Sequence, residues 1–313
     1  MHPWNEPILR SIAARADSLP HALLIHGRRG VGKLGLAERL AQLLLCEAQS
    51  GAKPCGRCDG CRWFLAGSHP DFRRLEPESL AKEPVPEEGE PAPKKTAKPS
   101  TEIKIEQVRG ITDFLNLRSH RGRLRVALVH PAEDMNLNAA NALLKGLEEP
   151  PAGAIFLLVS HRPAQLPPTI RSRCVAVPVP LPERSIAMEW LAGQGIKDAE
   201  RWLAYAGGAP LAALHYAAQA STLESLLRNP RPVDDREGAE ELAEALQKIA
   251  LDRAFTAFGL PPKYRAAPGK APAASAKAWL AYARQMGHER QLASHPLNPR
   301  LYSADLLARL PKS

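Results

Sequence analysis

A parallel α/β core covered by helices, followed by an all-α C-terminal portion, is the fold class the sequence predicts. Three observations predict it. Between residues 22 and 179, short apolar runs alternate with segments of helical period, the pattern of a parallel sheet buried on both faces. The first apolar run, Ala22–His26, leads through Gly27–Lys33 (GRRGVGK) into a helix, which is the strand–loop–helix order of a phosphate-binding loop. From Pro182 onward the apolar runs stop and helical periodicity remains.

Taken in order, Pro7–Ala16 reads as a helix with Ile8, Leu9, Ile12 and Ala13 on one face, and Ala22–His26 as a buried strand. Gly27, Gly30 and Gly32 let backbone N–H groups turn toward an anion. The helix that follows adds partial positive charge, and Lys33 reaches outer phosphates. That helix, Lys33–Leu45, carries Leu36, Leu40 and Leu44 along one face. The residue after Lys33 should be Ser or Thr, whose hydroxyl holds Mg²⁺; here it is Leu34.

Four of the five cysteines follow within sixteen residues, Cys46, Cys55, Cys58 and Cys61, spaced C-x8-C-x2-C-x2-C. Two-residue gaps let neighbouring thiolates converge on one tetrahedral ion, which makes a closed structural zinc site the leading reading. An iron–sulfur cluster shares the C-x2-C-x2-C run, and a degenerate set without an ion is the third reading. His69 lies nearby, but four thiolates already fill the sphere, so it is read as packing or hydrogen-bonding.

His69–Leu75 returns into a second strand. Glu76–Ser100 holds six prolines and ten charged residues with almost no large apolar side chain, and is expected to be a disordered insertion. Ile103–Leu117 resumes helical period, with Ile105, Val108, Ile111 and Leu115 in register. The basic run Arg118–Arg125 (RSHRGRLR) suits either a phosphate backbone or, the favoured reading, a solvated loop.

Val126–Val129 is the next strand. A working P-loop ATPase ends this strand in acids that position Mg²⁺ and polarise water, but here His130 and Pro131 stand there. Glu133 and Asp134 come later and are expected to be N-terminal acids of the helix Asn138–Glu149. Ala154–Val159 and Val175–Val179 are strands separated by Pro167–Cys174. Helices are then predicted at 183–192, 199–206, 211–220, 235–258, 275–285 and 302–310, with a linker at 229–233 and a Pro/Ala/Lys-rich loop at 261–274.

Composition sets outer limits. The chain has 313 residues, a net charge of +9 and 44% hydrophobic residues, enough for two or three domains with a sizeable core. No apolar run approaches a membrane span, and the N-terminal segment lacks the pattern of a signal peptide, so a cytoplasmic location is expected. The basic balance fits an anionic partner such as nucleic acid, or an arginine-rich solvated surface.

The phosphate loop behind HALLIH (21–26), the four cysteines after the first core helix, NAANALLKGLEEPP (138–151) and Arg171-Ser172-Arg173-Cys174 occur together. In combination they resemble the bacterial DNA polymerase III clamp-loader subunits, over Pro3–Leu310 apart from the insertion. His295–Leu307 (HPLNPRLYSADLL) is similar to the last helices of those subunits. The resemblance implies an AAA+ core at 1–178 with a zinc-binding module at 46–61, a three-helix lid at 179–220 and a helical collar (oligomerisation) domain at 221–313. It further implies a ring with motor subunits (gamma or tau) and delta, which opens the sliding clamp (beta) and places it on primed DNA. In that family the Ser-Arg-Cys segment offers an arginine in trans to the neighbouring motor subunit's ATP, and carried over it is Arg173.

Departures from the family's active members qualify the expectation. Leu34, His130 and Pro131 remove the magnesium ligands and the water-activating acid, and Gly207–Leu214 (GGAPLAAL) has no arginine where active lids present one. Autonomous ATP hydrolysis is therefore not expected, and neither ATP nor ADP is assigned to the loop in cis. Weak metal-free anion binding at Gly27, Gly30, Gly32 and Lys33 stays open. Any DNA-directed DNA polymerase (nucleotidyltransferase) activity would belong to the holoenzyme's catalytic subunit. The rival readings are an active motor ATPase of the same family and a zinc-dependent nucleic-acid-binding protein.

Overall fold

The computed structural model describes residues 1–49, 51–81, 99–117, 124–266, 274–292 and 297–311. Most of the predicted disordered insertion (82–98), most of the basic run (118–123) and part of the 261–274 loop (267–273) lie outside the described residues. The chain divides into two compact units, Met1–Leu181 and Pro182–Ser313. Among the described residues no helix is long and apolar enough to cross a membrane.

The first unit is built on five parallel strands: β1 (Ala22–His26), β2 (Phe72–Leu75), β3 (Arg125–Val129), β4 (Ala154–Ser160) and β5 (Val175–Pro178). Their order is β2-β3-β4-β1-β5. All seven residues of β4 are buried, whereas the edge strand β5 is largely exposed. This is why β4 reads as a continuous apolar run and β5 only weakly.

The side chains of each strand alternate between two helical layers. Ala22, Leu24, Ala127, Val129, Phe156 and Leu158 join one core with α4 (Ile105–Asn116) and α5 (Leu137–Glu148). Val108, Ile111, Leu115, Leu143 and Leu147 supply the helical side of that core. α2 (Lys33–Leu44) packs on β1, β3 and β4 with Leu36, Ala37 and Leu40 fully buried. α1 (Glu6–Ala13) lies against α2. The short α3 (Asp59–Leu65) and α6 (Pro168–Arg171) complete the unit.

Two local expectations change here. α5 begins at Leu137 and is capped by Asn136, whose side chain accepts from Ala139 N–H. Glu133 and Asp134 stand before it in a separate 3₁₀ turn, Ala132–Asp134, and are not first-turn acids of α5. Arg125, the last residue of the basic run, is buried at the start of β3. There it pairs with Asp71 at 3.4 Å and lies over the Phe114 ring at 4.8 Å. It therefore serves packing and is not part of a solvated loop.

Among its described residues the second unit has helices and no strand: α7 (Arg184–Gly193), α8 (Ala199–Tyr205), α9 (Pro210–Ala218), α10 (Ala220–Arg228), α11 (Arg236–Ala257), α12 (Ala276–Leu292) and α13 (Pro299–Ala308). One core runs from Ala187 and Leu191 through Trp202 and Ala213 to Ala245 and Ile249. A second joins Leu242, Leu246 and Ala250 of α11 to Trp279, Tyr282, Met286 and Leu306. The segment before the linker holds α10, which was not anticipated, because Leu223 and Leu227 bury one turn apart against the first of these cores. α12 runs past the predicted end at Gln285, and α13 starts earlier than predicted, at Pro299, capped by Asn298.

Candidate functional site

The phosphate loop closes the carboxyl end of β1. Gly30 and Gly32 adopt φ of 84° and 82°, a conformation that side chains disfavour. At Gly32 a Cβ would also stand 2.7 Å from His2 and 2.9 Å from Asn5, so glycine is required there twice over. The N-terminal segment braces the loop from that side. Trp4 Nε1 donates to the Val31 carbonyl at 3.0 Å, and the buried Asn5 donates through Nδ2 to the carbonyls of Val31 (3.0 Å) and Gly32 (3.1 Å). No motif signalled this brace, because it depends on a contact across 26 residues of chain.

Lys33 opens α2 and is 2% exposed, with Nζ donating to the Arg28 carbonyl at 2.7 Å. Burial pulls its ammonium down to about 8, Glu133 opposes that, and Arg29 adds to it. The N-cap of α2 is Gly32, which has no side chain to cap the helix, and the first turn has no acid. The helix dipole and first-turn amides are thus left for an anion.

Leu34 follows, half-buried and without an oxygen to offer a metal. His130 stands at the carboxyl end of β3 and His161 just past that of β4. Their rings meet edge to face with centroids 5.4 Å apart. Burial, with Lys33, Arg29 and other cations acting in the same sense, holds His130 down to about 4 and His161 down to about 3. Glu133 raises His130 but does not overcome burial. Glu133 Oε1 accepts from His161 N (2.8 Å) and Arg162 N (3.1 Å), which ties the turn after β3 to the turn after β4. Burial and the neighbouring Glu133 push Asp134 up to about 6. Sequence reasoning had singled out His130 but not His161. Its only signal was position, one residue beyond the apolar run of β4.

The cysteines converge as their spacing requires. The Sγ atoms of Cys46, Cys55, Cys58 and Cys61 all lie within 4.8 Å of one another, and Cys46 and Cys58 are 4.0 Å apart. Backbone amides point at the sulfurs: Cys55 N to Cys46, Glu47 N to Cys58, Cys61 N to Cys58, and both Arg57 N and Cys58 N to Cys55. The last two pull the Cys55 thiol down to about 6, while burial pushes Cys61 up to about 12. Four thiols gathered at this range, with amides aimed at them, fit a tetrahedral metal ion. At Gly60 a Cβ would lie 2.5 Å from the Leu45 carbonyl, so the module presses directly on the end of α2. His69 is buried beside it, and its Nδ1 accepts from Asp71 N–H at 3.0 Å.

Arg173 lies between α6 and β5. Its guanidinium pairs with Glu148 at 2.6 Å and donates to the Thr169 carbonyl at 3.0 Å. It is about one-third exposed. Because β5 runs parallel to β1, Arg173 sits at the amino end of the sheet, opposite the phosphate loop at the carboxyl end. The two groups of predicted site residues are thus kept apart within this chain.

The sequence model of a family described as "DNA polymerase III, delta subunit" matches residues 7–182. DNA polymerase III subunit delta′ of Pseudomonas aeruginosa is 40% identical over 217 residues, covering 68% of this chain and 60% of that protein. The Escherichia coli K12 subunit delta′ is 34% identical over 218 residues with the same coverage. Subunit tau of Salmonella typhimurium is 37% identical over 155 residues, half of this chain and 21% of that protein. The matched region thus spans about three fifths of the length of these delta′ relatives.

Proposed function

The chain belongs to the family described as DNA polymerase III, delta subunit, and from that premise we propose that it is a non-hydrolysing, delta′-like clamp-loader subunit. It helps load the sliding clamp onto primed DNA and lends Arg173 to the nucleotide of a neighbouring motor subunit. In this reading its partners are the gamma or tau motor subunits and delta, with the beta clamp and primed DNA engaged through the complex. The cysteine cluster holds structural zinc. Residues 179–220, which contain α7, α8 and α9, act as the lid. Residues 221–313 act as the collar.

The observation that carries the reading is the separation of the phosphate loop from Arg173. Hydrolysis needs Mg²⁺, an activated water and cationic stabilisation of the transferring phosphoryl group at one place. Here the loop is followed by Leu34 and faces His130 in place of a magnesium-binding acid. Arg173 stands at the opposite end of a parallel sheet, within reach of solvent. A guanidinium so located acts on a neighbour's nucleotide and not on its own.

The test is reconstitution with the motor subunits and delta. Arg173→Ala is expected to leave assembly intact and to slow hydrolysis at the adjacent motor site, toward the roughly 10³-fold or larger loss typical of an arginine finger. Unchanged kinetics in a fully assembled ring would overturn the trans role. Magnesium-dependent ATPase of the purified chain, abolished by Lys33→Ala, would overturn the non-hydrolysing assignment and favour a motor subunit.

A further inference from the structure

Four helices of the second unit meet around a small cavity of about 30 Å³. Tyr205 of α8, Tyr216 of α9, and Glu241 and Glu244 of α11 line it, with the exposed Gln219 and Thr222 at its solvent side. Leu223 and Leu226 of α10 add apolar wall. The space admits one group the size of a water molecule.

Two of the polar groups on this wall have no partner. Tyr205 is 2% exposed, yet its hydroxyl makes no hydrogen bond among the described residues. Burial drives its phenol up, followed by Glu244, Tyr216 and Glu241. All three line the cavity, so the hydroxyl stands on the cavity side. A buried tyrosine hydroxyl ordinarily finds a partner. The half-buried Glu241 makes neither an ion pair nor a side-chain hydrogen bond among the described residues. Burial, and next the Glu237 carboxylate, hold its carboxyl above the ordinary value; Asp235 and Glu244 act in the same sense and His215 opposes them. Glu244, by contrast, is fully answered. It pairs with Lys248 at 2.6 Å and Arg290 at 3.2 Å, and accepts from the Tyr216 hydroxyl at 2.8 Å. What the cavity lacks is one positive charge beside Glu241 that can also donate to the phenol oxygen of Tyr205.

Lys248 shows what these rings accept. Its ammonium lies 3.7 Å from the Tyr205 ring centroid and 4.5 Å from that of Tyr216, where the ring quadrupoles attract a cation. We propose that the cavity binds the primary ammonium group of an alkylamine, which donates to the Glu241 carboxylate and the Tyr205 hydroxyl. An ammonium head carries three donors, and the third is left for Gln219 or Thr222. Guanidinium and quaternary ammonium groups are larger than the space. A calcium or magnesium ion takes six or more oxygens, where this wall has two leucines and two rings. The amine is either a free diamine or polyamine, or the side chain of a lysine on a partner protein, and both bring the same group.

The experiment is NMR of the full chain with ¹³C-labelled tyrosine rings, at pH 8 and constant ionic strength. Glutamate is ionised and alkylamines are protonated at that pH, and five tyrosines give few signals to follow. The probes are putrescine and, separately, Nα-acetyl-lysine methylamide, with tetramethylammonium and potassium as controls. The expected result is a saturable shift centred on Tyr205 and Tyr216 with at least one amine and not with the controls. Response to putrescine alone assigns a free diamine, response to the lysine derivative alone assigns a partner's lysine, and response to both assigns the shared ammonium group. Glu241→Gln should weaken binding about tenfold, the loss expected when a charged hydrogen-bond partner is removed. Tyr205→Phe keeps the ring and should weaken binding less, read at Tyr216, with melting curves confirming that each variant folds. No saturable shift, which would mean that the cavity takes water only, overturns the proposal. So does an equal response to tetramethylammonium or potassium, or undiminished affinity in Glu241→Gln.

Discussion

Arg173 and Glu148 form an ion pair of 2.6 Å at the amino end of the sheet, joining the segment before β5 to the last residue of α5. Glu148 is about half exposed and Arg173 about one-third. Such a pair contributes at most about 1 kcal/mol to stability. It also holds the guanidinium in one orientation beside the Thr169 carbonyl. Glu148→Gln is therefore expected to shift stability by less than about 1 kcal/mol, read by chemical denaturation. In a reconstituted ring it should change hydrolysis at the neighbouring site by no more than about fivefold, far less than Arg173→Ala. An effect of Glu148→Gln as large as that of Arg173→Ala would make Glu148 part of the chemistry.

The cysteine module makes a separate, local prediction. Structural zinc in small peptides contributes an apparent 10–16 kcal/mol at neutral pH, but this module is an appendage of a core that folds around α2 and the sheet. Cys58→Ser should abolish stoichiometric zinc, measured by elemental analysis. It should also open residues 47–58 to protease while leaving the melting transition of the sheet in place. Gly60 against the Leu45 carbonyl sets the limit of the damage, since loosening should stop at the end of α2. Zinc content and protease resistance both unchanged would remove the metal assignment.

Acid should weaken the first unit. His130 and His161 are held down to about 4 and about 3, from an unfolded value of 6.5. The unfolded chain therefore binds more protons as pH falls below about 6.5, and stability is lost down to about pH 4. Asp134, pushed up to about 6 from 3.8, acts in the opposite sense over the same window. Protonation favours its folded form, so it returns some stability. Two histidines outweigh one carboxyl, and the melting temperature should fall between pH 6.5 and pH 4. The fall should be smaller in His161→Gln, and a slope unaltered by that substitution would show that the ring is not neutral in the folded protein.

The sheet, the phosphate loop and the cysteine cluster were legible in the sequence because each rests on local pattern. Apolar runs such as Ala154–Val159 mark buried strands, glycines mark the loop, and two-residue cysteine gaps mark convergence. The features that local pattern does not reveal depend on contacts made across the fold. Glu133 reads in the sequence as an N-terminal acid of the next helix, yet it serves backbone amides that arrive 28 and 29 residues later. Asn5 belongs to no motif, yet it is fully buried against the phosphate loop. His161 had no motif around it, and only the adjacency of β3 and β4 brings it to His130. α10 is short and half-exposed, so its two buried leucines carried too little periodicity to stand out.

The second unit has its own test, independent of nucleotide and metal. Asp252 of α11 is completely buried, and its carboxylate accepts from Tyr264 N at 2.7 Å and Ala266 N at 2.6 Å. Those bonds pin the segment after α11 back onto the helix, where Tyr264 and Ala266 join the core formed with Trp202 and Ile249. A buried carboxylate is tolerated here because two amides satisfy it. Asp252→Ala strands both amides and leaves a void, at a cost of roughly 2–5 kcal/mol. Asp252→Asn keeps one acceptor and should cost less. Hydrogen exchange at Tyr264 and Ala266 reads the effect directly, and protection there should collapse in Asp252→Ala before it does in the sheet of the first unit. Protection retained at both amides in the alanine variant would mean that apolar packing, and not the carboxylate, fixes the segment.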